Sequence, residues 1–180
     1  MKEPISVLTN LAYLVPAGFA FSADPVTAKV YGGACITLAA ASGLFHYYYR
    51  PEWKSEEQVH WQQTADEISM YVVLSFAIAH IGFLLGTPTW VVLGLAGVLS
   101  LIMAELWARI DSFTAVPILA GVLLFLAAIV NYVLAGVAGA VVLIAYVIRQ
   151  KAEHSERFAD AGHGLWHVLN AAALTAVLLF

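Results

Sequence analysis

Long apolar runs separated by short polar breaks dominate the chain, and the breaks divide it into helices of membrane-spanning length. The first run covers residues 5–21 and ends at Asp24-Pro25. The second, 26–49, stops at Arg50-Pro51, where a loop carrying Glu52, Lys54, Glu56 and Glu57 follows. The third, 62–85, closes at Gly86-Thr87-Pro88, and the fourth covers 89–108. Beyond Arg109 and Asp111, the stretch from Val116 to Ile148 has no charge. One helix of that length would rise about 50 Å against a hydrocarbon core of about 30 Å. The pattern therefore predicts two spans, 112–130 and 133–148, parted at Asn131-Tyr132. The polar run 149–160 reads as a loop, and a seventh span covers 159–180.

These elements predict an all-α fold, a single seven-transmembrane helix bundle over residues 1–180. Asn10 and Pro16 interrupt the first run and no small-residue cleavage site follows, so it reads as a mature helix, not a signal peptide. Pro16 and Pro117 read as kinks that neighbouring helices satisfy. Gly32, Gly33, Ala34, Gly136, Gly139 and Ala140 read as close-packing positions.

Composition narrows the class further. Of 180 residues, 62% are hydrophobic and 11% charged, whereas a soluble domain carries about 25% charged residues. That excludes a soluble enzyme, a disordered chain, a disulfide scaffold and a nucleic-acid binder. Cys35, the single cysteine, makes no intrachain disulfide. With seven spans, Lys2, Arg50, Lys54, Arg109, Arg149, Lys151 and Arg157 share one side, and Lys29 stands alone on the other. The positive-inside rule then puts the amino terminus in the cytoplasm and the carboxyl terminus outside. An integral multi-pass protein of the plasma membrane is expected, with Trp53, Trp61 and Trp107 near the cytoplasmic boundary.

Against this apolar background, ionisable groups inside spans need a reason, because each costs about 2.5–3.5 kcal/mol to insert. Ser42 and His46 share one face of the second span at i, i+4, as do His163 and His167 in the seventh. Asp66 lies about one turn inside the third. His46, Asp66, His163 and His167 fall roughly 5–12 Å below the cytoplasmic boundary, so they converge if these three helices are neighbours. Three neutral imidazoles with an open fourth position suit a catalytic Zn²⁺, which supplies hydroxide near neutral pH. Asp66 is then the candidate general base, and Ser42 positions the water or donates to an oxyanion. Of the remaining polar groups, Glu105 reads as an intrahelical partner of Arg109, His80 as structural, and His60 and His154 as solvated loop residues.

This set of residues resembles the signature of the CREST superfamily of seven-helix membrane hydrolases: Ser-x₃-His in the second helix, Asp in the third and His-x₃-His in the seventh. Three flanks look most like alkaline ceramidases: Glu3-Pro4-Ile5-Ser6-Val7-Leu8-Thr9-Asn10-Leu11, Asp66-Glu67-Ile68-Ser69-Met70-Tyr71 and His163-Gly164-Leu165-Trp166-His167-Val168-Leu169. The resemblance implies Zn²⁺ on His46, His163 and His167, with Asp66 and Ser42 beside it, and cleavage of the amide of a ceramide-like N-acyl lipid drawn from the bilayer. Eukaryotic ceramidases carry an acidic calcium-binding stretch before the first helix. Here only Glu3 and Asn10 match it, too few ligands to predict a Ca²⁺ requirement. The amino-terminus-inside orientation resembles the adiponectin/progestin receptor branch of the same superfamily.

Two other readings compete with a hydrolase. One is a receptor-like zinc protein with little turnover, and the other is a b-type haem protein, which a Soret band would reveal. A retinal protein is excluded because the seventh span has no lysine for a Schiff base. An ion transporter is disfavoured because the polar groups cluster at one end and form no path across the bilayer.

Overall fold

The computed structural model describes residues 3–49, 61–106, 112–153 and 159–180. In chain order these form α1 (Pro4–Thr9), a 3₁₀ turn (Asn10–Tyr13), α2 (Leu14–Ser22), α3 (Val26–Tyr48), α4 (Trp61–Leu84), α5 (Thr89–Leu106), α6 (Ser112–Glu153), α7 (Ala159–Ala176) and a terminal 3₁₀ turn (Val177–Leu179). Among the described residues, six helices are long and apolar enough to cross a membrane, as befits an integral multi-pass membrane protein. The loop groups Arg50, Lys54, His60, Arg109, His154 and Arg157, together with Lys2, Trp53 and Trp107, lie outside the described residues.

The helix ends have local causes. α1 and α2 make one rod, Pro4–Ser22, tightened to 3₁₀ just before Pro16, which lacks the N–H for Ala12 and crowds its carbonyl. Pro25 is extended, with ψ 137°, and launches α3. α4 closes in a Schellman turn: Thr87 N donates to Gly82 O at 3.1 Å and Gly86 N to Phe83 O at 2.9 Å. Gly86 takes φ +91° there, which a side chain would oppose.

α6 carries the break expected at Asn131-Tyr132 as a bend, with no loop between its two arms. It runs as one 42-residue element whose single non-helical residue is Asn131, at φ −153° and ψ 97°. Pro117 does not break it. Across the bend, a Cβ on Gly139 would lie 3.5 Å from Leu124 Cδ1, whereas a straight helix would separate these residues by roughly 22 Å. The chain therefore folds back on itself at Asn131, whose Oδ1 accepts from Leu134 N at 3.1 Å and caps the second arm. That arm also runs past its expected end at Ile148 through Glu153. Arg149, Gln150, Lys151, Ala152 and Glu153 are all good helix formers, so the polar run begins as helix and not as loop.

Packing centres on α4, which touches α3, α5 and α6, while α7 lies against α6 and α1. The main core gathers Tyr13, Tyr31, Leu38, Val73, Ile81 and Leu174, and Tyr31 Oη donates to Leu174 O at 2.8 Å. Of the small residues, Gly32 allows α2 within 2.9 Å of where its Cβ would stand, and Ala34 is buried. Gly33 and Gly136 instead meet nothing within 4 Å, and Ala140 is exposed. His80 is buried and pairs through Nδ1 with Thr27 Oγ1 at 3.1 Å, a tie between α4 and α3.

Candidate metal centre

His46 stands in the last turn of α3, and His163 and His167 stand one turn apart on α7. One ring nitrogen from each lies within 4.8 Å of the other two, so the three could hold a metal ion. Ring centroids are separated by 4.4 Å (His46–His163), 5.0 Å (His46–His167) and 4.7 Å (His163–His167). Tetrahedral coordination at about 2.0–2.1 Å would bring donor nitrogens to roughly 3.4 Å, a contraction that side-chain rotation can supply.

The partners of each ring decide which nitrogen faces inward. His46, 1% exposed, places Nδ1 2.5 Å from Glu3 Oε2. An ionised carboxylate only accepts, so Nδ1 carries the hydrogen and Nε2 the lone pair. That Nε2 is buried with no hydrogen-bond partner. His167 Nδ1 lies 3.3 Å from Thr9 Oγ1. The Thr9 hydroxyl already directs its hydrogen to Ile5 O (2.8 Å) and Ser6 O (3.2 Å), so it accepts from Nδ1–H and again leaves Nε2 as donor atom to a metal. Oxygen partners behind ligating imidazoles are the usual means of fixing tautomer and raising basicity. His163 differs: Arg149 Nη1 donates to its Nε2 at 2.6 Å.

Asp66 is buried on α4, and its Oδ1 has no hydrogen-bond partner. Ser42, also buried, is within hydrogen-bonding reach of the same carboxyl. A buried acceptor left unpaired costs about 1–3 kcal/mol. Both Asp66 Oδ1 and His46 Nε2 are so left, and a metal with a polar ligand would satisfy both. The donor set thus fits a metal of the imidazole-preferring kind.

The amino-terminal turn is held to this layer from the far end of the chain. Asp160 on α7 accepts from Ile5 N (3.0 Å), Ser6 N (2.9 Å) and Ser6 Oγ (2.7 Å), filling the open N–H groups of α1. A Cβ on Gly164 would lie 2.7 Å from Ile5 Cγ2, so only glycine lets α1 approach α7 this closely. Glu3 and Asn10, the two positions matched to a calcium stretch, have separate partners. Glu3 meets His46, while Asn10 is buried with Nδ2 donating to Ser6 O at 2.8 Å.

A cavity of about 550 Å³ lies in the interior of the bundle. Its lining is mostly apolar, drawn from α4, both arms of α6 and α7, with Tyr13, Tyr146, Trp166 and Asn170 among the residues nearest in sequence to the site. Tyr13 joins the two, since its ring centroid is 5.9 Å from that of His167.

Sequence reasoning placed His46, His163, His167 and Asp66 in one layer, with Ser42 on the face of His46; the fold brings the three histidines together and buries Asp66 and Ser42. It missed Arg149, assigned to a loop, and the supporting contacts of Glu3, Thr9 and Asp160. For Arg149 the available signal was its helix-forming neighbourhood. No protein-family model matches the chain, and no curated protein matches it.

Proposed function

We propose that this protein is a zinc-dependent intramembrane hydrolase that cleaves the amide of a ceramide-like N-acyl lipid, as the resemblance to the CREST superfamily implies. The observation that carries the reading is the convergence of His46, His163 and His167 beside an unpaired Asp66 oxygen. Support also comes from the apolar cavity, which offers an acyl chain a place behind Tyr13, the lining residue whose ring meets that of His167. A Zn²⁺ held by the three imidazoles would supply a Lewis acid and hydroxide at neutral pH. Glu3 and Thr9 orient His46 and His167. Asp66 takes a proton at Oδ1 from the attacking water and returns it to the amine nitrogen as the C–N bond breaks, leaving a fatty acid and an amine. Ser42 holds the Asp66 carboxyl in position.

The bend at Asn131 supports seven spans, the two arms of α6 counting separately. With the charge split, we read the amino terminus as cytoplasmic and the carboxyl terminus as external, in a protein of the plasma membrane. Protein purified in detergent should contain close to one zinc per chain and release fatty acid from N-acyl sphingoid lipids. His163→Ala or His167→Ala should lose both. Full hydrolysis in either variant would end the proposal, and bound zinc without turnover on any N-acyl lipid would favour the receptor-like reading.

A further inference from the structure

Asn170 is the one amide side chain among the described residues that line the apolar cavity. Polar groups inside spans often tie neighbouring helices together, as Tyr31 does with Leu174 and Thr27 with His80. Asn170 makes no such tie. Its Nδ2 donates to Trp166 O at 2.9 Å, one turn back on its own helix, and that bond fixes which end of the amide is nitrogen. No group among the described residues donates to its Oδ1. A strong acceptor therefore stands in the wall of an apolar cavity, within a segment of membrane-spanning length, and packing between helices does not account for it.

The position of Asn170 along α7 relates this acceptor to the histidines. Asn170 follows His167 by three residues, so the two are neighbours on the helix surface, with Asn170 about 4.5 Å further along the axis. Beyond it the α7 part of the lining is Ala173, Leu174, Val177 and Phe180, all apolar. From Trp166 to Phe180 that lining rises roughly 21 Å, room for an extended chain of about sixteen carbons at about 1.2 Å per bond. At the same spacing the step from His167 to Asn170 is about four bonds. α7 thus presents one hydrogen-bond acceptor a few bonds from the histidine layer and only hydrocarbon after it.

We propose that Asn170 is a specificity-determining residue: its Oδ1 accepts a hydrogen bond from a hydroxyl on carbon 2 or 3 of the acyl chain, so the lipid selected is a hydroxyacyl amide. This rests on the reading of the protein as a hydrolase whose acyl chain enters the cavity with its carbonyl at the histidines. A hydroxyl brought into an apolar cavity leaves its hydrogen bonds to water behind, and pairing with Oδ1 restores one. An unsubstituted chain leaves Oδ1 unpaired, and a hydroxyl placed far down the chain meets only the apolar lining.

The test uses N-acyl sphinganines that differ only in the acyl chain: palmitoyl, 2-hydroxypalmitoyl, 3-hydroxypalmitoyl and 12-hydroxypalmitoyl. kcat/KM is measured for wild type, Asn170→Leu and Asn170→Thr, each confirmed as folded by gel filtration and thermal melting. Binding of the four free fatty acids is read separately, by displacement of a fluorescent fatty acid. Wild type should favour the better of the 2- and 3-hydroxy chains over palmitoyl by about tenfold, and the 12-hydroxy chain should gain nothing. In N170L the ratio should fall to near one. N170T has an oxygen that can accept while its own hydrogen goes to Trp166 O, so it should retain part of the preference. A merely structural role would lower turnover of all four chains alike and leave the ratio as it is in wild type. Hydrolysis without a hydroxyl preference, or a preference undiminished in N170L, would overturn the role of Asn170 and leave the hydrolase standing. Fatty-acid binding with the preference dependent on Asn170, but no hydrolysis of any amide, would overturn the hydrolase and uphold the hydroxyl site. Absence of both would remove the proposal.

Discussion

Replacing Glu3 tests how far the candidate metal centre depends on charge supplied from outside its three ligands. Glu3 Oε2 is 2.5 Å from His46 Nδ1, and His46 is 1% exposed, so water cannot readily replace the carboxylate. Glu3→Gln keeps an acceptor of the same reach but removes the charge. A hydrogen bond to a charged group contributes about 1.5–3 kcal/mol against about 0.5–1.5 kcal/mol for a neutral one. The difference, roughly 1–1.5 kcal/mol, corresponds to about a tenfold loss of metal affinity. Glu3→Ala removes the acceptor altogether and leaves His46 free to present either nitrogen, so its loss should approach the upper end of the about 10–100-fold range for outer partners of metal ligands. Chelator competition with Zn²⁺ on the purified proteins measures both. Zinc affinity unchanged in both variants would refute the argument. If Glu3 instead serves a calcium ion, the substitutions would alter a Ca²⁺ requirement and leave zinc affinity untouched.

Three further outcomes are expected. Asp160→Ala removes the acceptor of two backbone N–H groups and a hydroxyl at the start of α1; it should destabilise the protein by about 1–2 kcal/mol and lower zinc affinity, read by thermal melting and the same competition assay. Tyr132→Cys, at a residue 78% exposed beside the bend in α6, should react with an impermeant thiol reagent only from outside the cell, and Lys151→Cys only from inside; labelling of both from one side would refute the hairpin across the membrane. Gly121 lines the cavity, and a Cβ there would meet nothing within 4 Å. Gly121→Leu should fill acyl space without a clash and shift hydrolysis toward shorter acyl chains, whereas an unchanged chain-length profile would place the acyl chain elsewhere.

Helix ends were legible from sequence because their causes are local: Pro25 before α3, Gly86 after α4 and Pro16 within the first rod. The meeting of His46, His163 and His167 was legible too, because helical rise converts position in a run directly into height. Arg149 escaped because a polar run at a span's end looks like water-exposed loop, although five helix formers carried the backbone one turn further and turned its side chain to His163. The contacts of Asp160 with Ser6 cross 154 residues, and neither residue has a local pattern that announces the other. Glu3 was visible as an acid near a span but not as the partner of His46, since no spacing rule relates residue 3 to residue 46.

The tie between α1 and α7 has a consequence for biosynthesis. Glu3 and Thr9 emerge from the ribosome before the helices that carry His46, His163 and His167, and the last two histidines emerge long after the first. A nascent chain could therefore present only one of the three imidazoles until α7 is made, and a site that held a metal would reach full affinity only after α7 had docked against α1. Metal acquisition would then report that α1 and α7 have found one another, making retention of an ion a readout of that docking.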